Sequence, residues 1–164
     1  MKSWHKRYLQ QANWTKELRA YIFKEIGLNE SSRALEVGCG TGAILSQIDF
    51  PVHGLDMQLA SVKEAKIHTQ GKSPLTCANA FSLPYADASF DILFCHFLLL
   101  WLPEPERAIK EMMRVTVPNG HIIAFAEPDY GNRVDKPDEL KKLGQWQREA
   151  LQKQGANPGM GAGL

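Results

Sequence analysis

The chain has 164 residues, of which 44% are hydrophobic and 23% charged; this is the balance of one folded domain, not of a disordered or membrane-embedded chain. Its 19 basic and 18 acidic residues leave a formal charge of +1, so no global field draws it to nucleic acid or anionic lipid. Cys39, Cys77 and Cys95 are widely spaced and form no CxxC pair, which signals neither a disulfide framework nor a metal centre and fits a reducing, cytoplasmic setting.

The N-terminal stretch MKSWHKRYLQQANW is too polar and aromatic for a signal peptide, and no apolar run approaches the roughly 20 residues that span a bilayer. Trp4 to Ile26 lacks Pro and Gly, and Leu18, Tyr21, Ile22 and Ile26 recur at three- and four-residue intervals; this predicts a helix with one apolar face, ended by Gly27. Ala34 to Val37 predicts a strand, a glycine cluster follows, and Ala43 to Ile48 reads as a helix. Val52 to Asp56 predicts a second strand, Leu59 to Thr69 a helix, and Pro74 to Ala78 a weak third strand.

Ser82 to Ser89 is a loop, Phe90 to Phe94 an apolar strand, and Glu104 to Val115 a helix with Ala108, Ile109, Met112 and Met113 on one side. Asn119-Gly120 is a turn signal before a fifth strand, His121 to Ala126. A further helix runs from beyond Pro137 to about Gln154, followed by a glycine-rich loop. Strands that alternate with helices imply a doubly wound α/β fold with a mainly parallel sheet and a ligand at the carboxyl ends of its strands. The expected organisation is an N-terminal helical segment over residues 1–30, a core over 31–130, and a helix and loop over 131–164 within the same domain.

Gly38, Gly40 and Gly42 fall within five residues directly after the first strand. Glycines there take positive φ at little cost and let a ligand lie on the backbone, while the N–H groups that follow suit a phosphate or a carboxylate. The bland alternative is a tight strand-to-helix turn with no ligand. The pattern is GxGxG with Glu36 before it, whereas dinucleotide sites carry GxGxxG. Asp56, twenty positions after Glu36, ends the second strand, where an acid can accept two hydrogen bonds from ribose hydroxyls; a helix cap or turn is the alternative for Asp56 alone.

With "LEVGCGTG" the chain resembles the class I S-adenosylmethionine-dependent methyltransferases, whose first motif is an acid followed by GxGxG. The later stretch "ANAFSLPYADASFDILFCHF" is similar to the GDAxxLPFxDxSFD continuation seen in small-molecule members of the ubiquinone- and menaquinone-biosynthesis type, with Asn79 where that pattern has Asp. The resemblance implies a Rossmann-like sheet in the order 3-2-1-4-5 and S-adenosyl-L-methionine as cofactor. It implies cofactor contacts from Glu36, Gly38, Cys39, Gly40 and Gly42, from Asp56 on the ribose, and from Met57 on the adenine face. Asn79 would meet the adenine amino group, Ala80 and Phe81 the adenine edge, and Cys95 and His96 the sulfonium.

The family's sheet has seven strands, and this chain ends before the last two. The expectation is either a fragment of a longer protein or a fifth strand whose edge, Ile122 to Phe125, is covered by another chain, as in a homodimer.

A sulfonium methyl is already activated, so transfer needs alignment and exclusion of water and requires no metal or triad. His96 is the natural general base, with a packing or solvent-facing histidine as the alternative. Glu127 and Tyr130, in Glu127-Pro128-Asp129-Tyr130, can line an acceptor pocket or form a plain turn. Tyr8 and Trp14 belong to an aromatic segment that can fold over the cofactor as a lid; their six-position separation is poor spacing for one helix face and points to a break or a partner contact, with core packing the alternative for Trp14. Cys95-His96-Phe97-Leu98 stands where nucleic-acid amino methylases carry Asn/Asp-Pro-Pro-Tyr, which together with the charge disfavours a DNA or RNA substrate and leaves a small-molecule acceptor. Two competing readings are an NAD-dependent oxidoreductase and a non-catalytic cofactor-binding fragment.

Overall fold

A computed structural model describes residues 4–164. The helices are α1 (Trp4–Trp14), α2 (Lys16–Glu25), α3 (Leu59–His68), α4 (Pro105–Val115) and α5 (Glu139–Lys153). The strands are β1 (Ala34–Val37), β2 (His53–Asp56), β3 (Leu75–Cys77), β4 (Phe90–His96) and β5 (Thr116–Phe125). They form one sheet in the order β3-β2-β1-β4-β5, and all four pairings are parallel. This is the doubly wound arrangement expected from alternating strands and helices.

Every residue of β1 is buried, because the central strand of a parallel sheet is covered on both faces. On one face Ile92 and Phe94 of β4 and Phe125 of β5 pack with Phe23 of α2, whose ring centre lies 5.1 Å from that of Phe94 and 5.6 Å from that of Phe125. On the other, Leu35, Val37, Leu55 and Leu93 meet Ala108, Met112 and Val115 of α4. Burying each such side chain contributes about 1.5–3 kcal/mol, which makes the two layers the main support of the sheet.

Several elements depart from the sequence expectation. The N-terminal helix is broken at Thr15 into α1 and α2, and Leu18, Tyr21 and Trp14 are exposed. The inward face of α2 is set by Arg19, which is 3% exposed and donates from Nη1 to Ala12 O at 2.6 Å and from Nη2 to Gln47 Oε1 at 2.5 Å. These bonds turn Leu18 and Tyr21 to solvent, and Trp14 does not pack in the core. Ala43 to Ile48 forms only a short 3-10 turn at Leu45–Gln47, since Pro51 follows too closely for a helix to propagate past its costly nucleus.

Met113 is exposed, because the buried stripe of α4 falls at Ala108, Met112 and Val115. β4 continues to His96, and β5 begins at Thr116, ahead of the Asn119-Gly120 signal. That dipeptide is a bulge inside the strand: Asn119 has φ +64, and the register jumps from Phe90↔Thr116 to Ile92↔His121.

Gly27 (φ +71) closes α2 as expected, with Leu28 N donating to Phe23 O at 2.8 Å. Arg114 of α4 ties down the loop before β4 by donating to Leu83 O at 3.0 Å, Tyr85 O at 2.9 Å and Asp87 Oδ1 at 2.8 Å. The same guanidinium pulls the Glu111 carboxyl down to about 2. Among the described residues no helix is long and apolar enough to cross a membrane, and no cluster of metal-ligating side chains is present.

Candidate functional site

The parallel registers bring the carboxyl ends of β1, β2, β3 and β4 to one rim. Val37 pairs with Leu55, Asp56 with Cys77, and His96 with Phe125. The loop after β1 carries three glycines at positive φ, Gly38 (+76), Gly40 (+51) and Gly42 (+74), but they do different work. A methyl group on Gly38 would lie 2.7 Å from Leu98 Cδ1, and one on Gly42 would lie 3.1 Å from Ala65 Cβ of α3; these two glycines let neighbouring elements approach. A methyl group on Gly40 would meet nothing within 4 Å. The backbone is bare there toward open space, the condition for a ligand to lie on it.

Asp56 orders this loop. Its Oδ2 accepts from Gly40 N at 2.9 Å and its Oδ1 from Gln58 N at 2.8 Å, and each carboxylate oxygen retains acceptor capacity. Met57, next in the chain, is 66% exposed. Glu36 is buried within β1, and its Oε2 has no hydrogen-bond partner among the described residues. Burial pushes its carboxyl well above the usual range, against the charge of Arg19 and reinforced by that of Asp56. An unpartnered buried carboxylate oxygen costs on the order of 1–3 kcal/mol. Nothing in the sequence marked Arg19 as its buried counter-charge, because an arginine on a helix ordinarily reads as solvent-facing.

Asn79 and Ala80 follow β3 at the same rim, where Ala78 N donates to Asp56 O at 3.1 Å. Asn79 is exposed and its Oδ1 accepts from Phe81 N at 2.9 Å; Ala80 is buried; the Arg107 guanidinium lies 5.3 Å over the Phe81 ring. Cys39 is buried within the glycine loop, and burial raises its thiol.

Cys95 does not join this group. Successive strand residues point to opposite faces, and the fully buried Cys95 packs among Leu99, Leu100, Ala156 and Met160 on the side away from His96. His96 Nε2 lies 2.9 Å from Thr15 Oγ1, which also accepts from Arg19 Nη1 at 2.5 Å. Burial, assisted by the Arg19 charge, holds the imidazole down to about 4.

The N-terminal helix lies against the glycine loop. His5 Nδ1 is 2.8 Å from Thr41 Oγ1, and its ring stacks on His68 of α3 with centres 3.3 Å apart and planes at 4°. Tyr8 is near enough to Asp56 for that charge to add to burial in raising its hydroxyl. Trp14 is 65% exposed at the end of α1. Glu127 turns inward: its Oε1 accepts from Leu98 N at 2.8 Å and Leu99 N at 2.9 Å, and its Oε2 from Leu100 N at 3.0 Å. It caps the turn after β4. Tyr130 is tied to the C-terminal segment through Tyr130 N to Pro158 O at 2.8 Å.

Phe97 (φ +51) and Ala126 (φ +59) are left-handed non-glycine residues directly after β4 and β5, joined by Phe97 N to Phe125 O at 3.1 Å. Each costs about 1–2 kcal/mol, and strain of this kind concentrates at ligand sites. A cavity of about 570 Å³ beside α5 is lined by Arg133, Asp135, Asp138, Lys141, Lys142 and Arg148 among others; Arg133 pairs with Asp135 and Lys141 with Asp138.

The rim thus holds a bare glycine, an oriented carboxylate at the end of β2, and a buried acid with an unspent oxygen. This donor and acceptor set fits a nucleoside that carries a charged amino-acid tail, and so fits S-adenosylmethionine. The chain is 31% identical over 122 residues to the demethylmenaquinone methyltransferase of Renibacterium salmoninarum, an overlap of 71% of this chain and 51% of that protein. The solved structure of the cyclase SpnF is 30% identical with a TM-score of 0.57, covering 65% of this chain and 43% of that one. An S-adenosylmethionine-dependent methyltransferase from Methanosarcina mazei is 28% identical with a TM-score of 0.56, covering 62% and 55%. The chain spans from about a third to about half the length of the curated relatives it matches. The methyltransferase domain family matches residues 35–124, more than half of the chain and the whole of the rim from Glu36 to His96, and the chain belongs to that family.

Proposed function

We propose that the chain binds S-adenosylmethionine along the carboxyl rim of β1, β2 and β3 and takes part in methyl transfer to a small-molecule acceptor. The observation that carries this reading is the meeting of Gly40, Asp56 and the unpartnered Glu36 Oε2 at one rim. When bound, the cofactor supplies a methyl group already activated on a sulfonium. Asp56 offers its remaining lone pairs to the ribose hydroxyls, Gly40 lets the ligand approach the backbone, and Met57 packs on the base. Glu36 and Arg19 offer an acceptor and donors to the charged amino-acid end.

Helix α1 acts as a lid that keeps water from the rim, a role supported by the His5–Thr41 bond and the closeness of Tyr8 to Asp56. His96 is buried, held down to about 4 and has its Nε2 engaged by Thr15, which supports a packing role over that of a general base. The outer edge of β5, last in the sheet order with Ile122 exposed, suits pairing with a second copy of the chain. Three free thiols support a reducing, cytoplasmic location.

The test is a single-turnover assay with methyl-labelled cofactor and a small-molecule extract, run beside calorimetry with S-adenosylhomocysteine and NAD. Label in an extracted small molecule and a heat signal for S-adenosylhomocysteine alone support the reading. Tight NAD binding with no response to S-adenosylhomocysteine overturns it, and cofactor binding without transfer reduces it to a binding module.

A further inference from the structure

The two ends of α1 are held in different ways. At its C-terminal end Ala12 packs in the core, the Ala12 carbonyl accepts from Arg19 Nη1 at 2.6 Å, and Asn13 Oδ1 accepts from Gln47 Nε2 at 2.9 Å. At its N-terminal end Trp4, Lys6, Arg7 and Tyr8 are exposed and His5 alone is buried. His5 Nδ1 lies 2.8 Å from Oγ1 of the buried Thr41, which stands between Gly40 and Gly42, and the His5 ring lies face to face with the half-buried His68 ring, 3.3 Å between centres and 4° between planes. His5 thus fastens this end of α1 to the glycine loop and to the last turn of α3.

Both stacked rings belong to the residue type that gains its charge between pH 5 and 8. Neutral imidazoles stack well at this distance, whereas two charged ones repel, and burial deprives the inner one of water. Burial first, and then the charge of His68, lower the His5 imidazole from its ordinary 6.5, while Glu64, one turn before His68 on α3, and the bond to Thr41 act upward; the net direction is down. The glycine loop carries no charged residue. Asp56 of β2 and Arg7 of α1 act on Tyr8, three residues on, and a cleft beside His68 is lined also by Asp49 and Lys72.

We propose that His5 and His68 form an acid-sensitive latch: with the rings neutral the N-terminal half of α1 lies shut on the glycine loop, and on protonation it lifts from Thr41, pivoting on the end anchored at Ala12. The latch deepens the reading of α1 as a lid and rests on it, and it is independent of which ligand the rim takes.

The experiment is amide hydrogen exchange on the ligand-free chain at about pH 7.5 and about pH 5.5, read by mass spectrometry over α1 and over α4 and corrected for the intrinsic pH dependence of exchange. A lifted His5 takes up a proton that the docked one excludes, so the protection of α1 is expected to fall about tenfold between the two pH values while that of α4 stays level. His5→Phe keeps a ring that stacks on a charged or a neutral imidazole and has no proton to gain; its α1 protection is expected to be the same at both pH values. Equal protection of wild-type α1 at the two pH values, a fall that α4 shares, or a fall that His5→Phe retains in full overturns the latch and leaves α1 as a lid. Absence of α1 protection at about pH 7.5 overturns the lid as well. The wild-type comparison of α1 with α4 decides the matter even where the variant fails to fold.

Discussion

Asp56 Oδ2 accepts from Gly40 N at 2.9 Å, so the acid at the end of β2 also fixes the one glycine of the loop whose α-carbon faces open space. On the proposed reading, this bond couples the shape of the loop to ligand contact. Asp56→Ala should weaken S-adenosylhomocysteine binding by about 1–3 kcal/mol, the range for charge-assisted hydrogen bonds. Asp56→Asn, which retains one acceptor oxygen, should fall between. Calorimetry on the three proteins checks this, and an unchanged dissociation constant in Asp56→Ala would remove the ribose role.

Gly40→Ala and Gly42→Ala should separate binding from stability. Both place a side chain at positive φ, at a cost of about 1–2 kcal/mol, but only Gly42→Ala also crowds Ala65 of α3 and Thr69 directly after it. Gly40→Ala should therefore lose the less stability of the two in urea denaturation, and it should lose binding because its methyl group occupies the space left for the ligand.

The same contrast marks where the sequence was legible. Alternating short apolar runs and helical periods led directly to the five parallel strands, because those patterns follow from local geometry and a handed connection rule; their order came from the family resemblance. Glu36, the glycines and Asp56 were legible because their spacing places them on one rim. The partners of Arg19, Thr15 and Glu127 were not. Arg19 reaches Gln47, Thr15 reaches His96, and Glu127 caps Leu98 to Leu100, and each such bond joins residues far apart in the chain with no periodic signal. The six-position separation of Tyr8 and Trp14 points to a break or a partner contact in this segment, but helix formers flank Thr15 on both sides and leave the position of the break unmarked.

His96 should make stability fall on acidification. Its folded-state value is about 4, below the 6.5 of an ordinary histidine, so the unfolded chain binds the extra proton first. The contribution is fully present above about pH 6.5 and is lost as pH falls through about 4. His5, also lowered by burial, acts in the same direction; the raised carboxyls of Glu36 and Glu127 act in the opposite one. Comparison with His96→Asn isolates the term: the Tm advantage of wild type should be flat above pH 6.5 and shrink steadily toward pH 4. A constant difference across that range would contradict the burial of a neutral imidazole.

Glu127 should matter for the fold more than for binding. Its carboxylate accepts from three consecutive backbone N–H groups, and Glu127→Ala leaves all three without that acceptor. The expected loss is about 1–3 kcal/mol, read from urea denaturation, with the affinity for S-adenosylhomocysteine changed less than in Asp56→Ala. A variant as stable as wild type would show that solvent replaces the cap without cost.

Binding of the cofactor at the rim formed by Gly40, Asp56 and Glu36 is tested by titration of the chain with S-adenosylhomocysteine, repeated on Gly40→Ala with circular dichroism to confirm its fold. Saturable binding by wild type and its loss in a folded Gly40→Ala protein is the predicted result. Absence of binding by wild type, or equal binding by the variant, would contradict it.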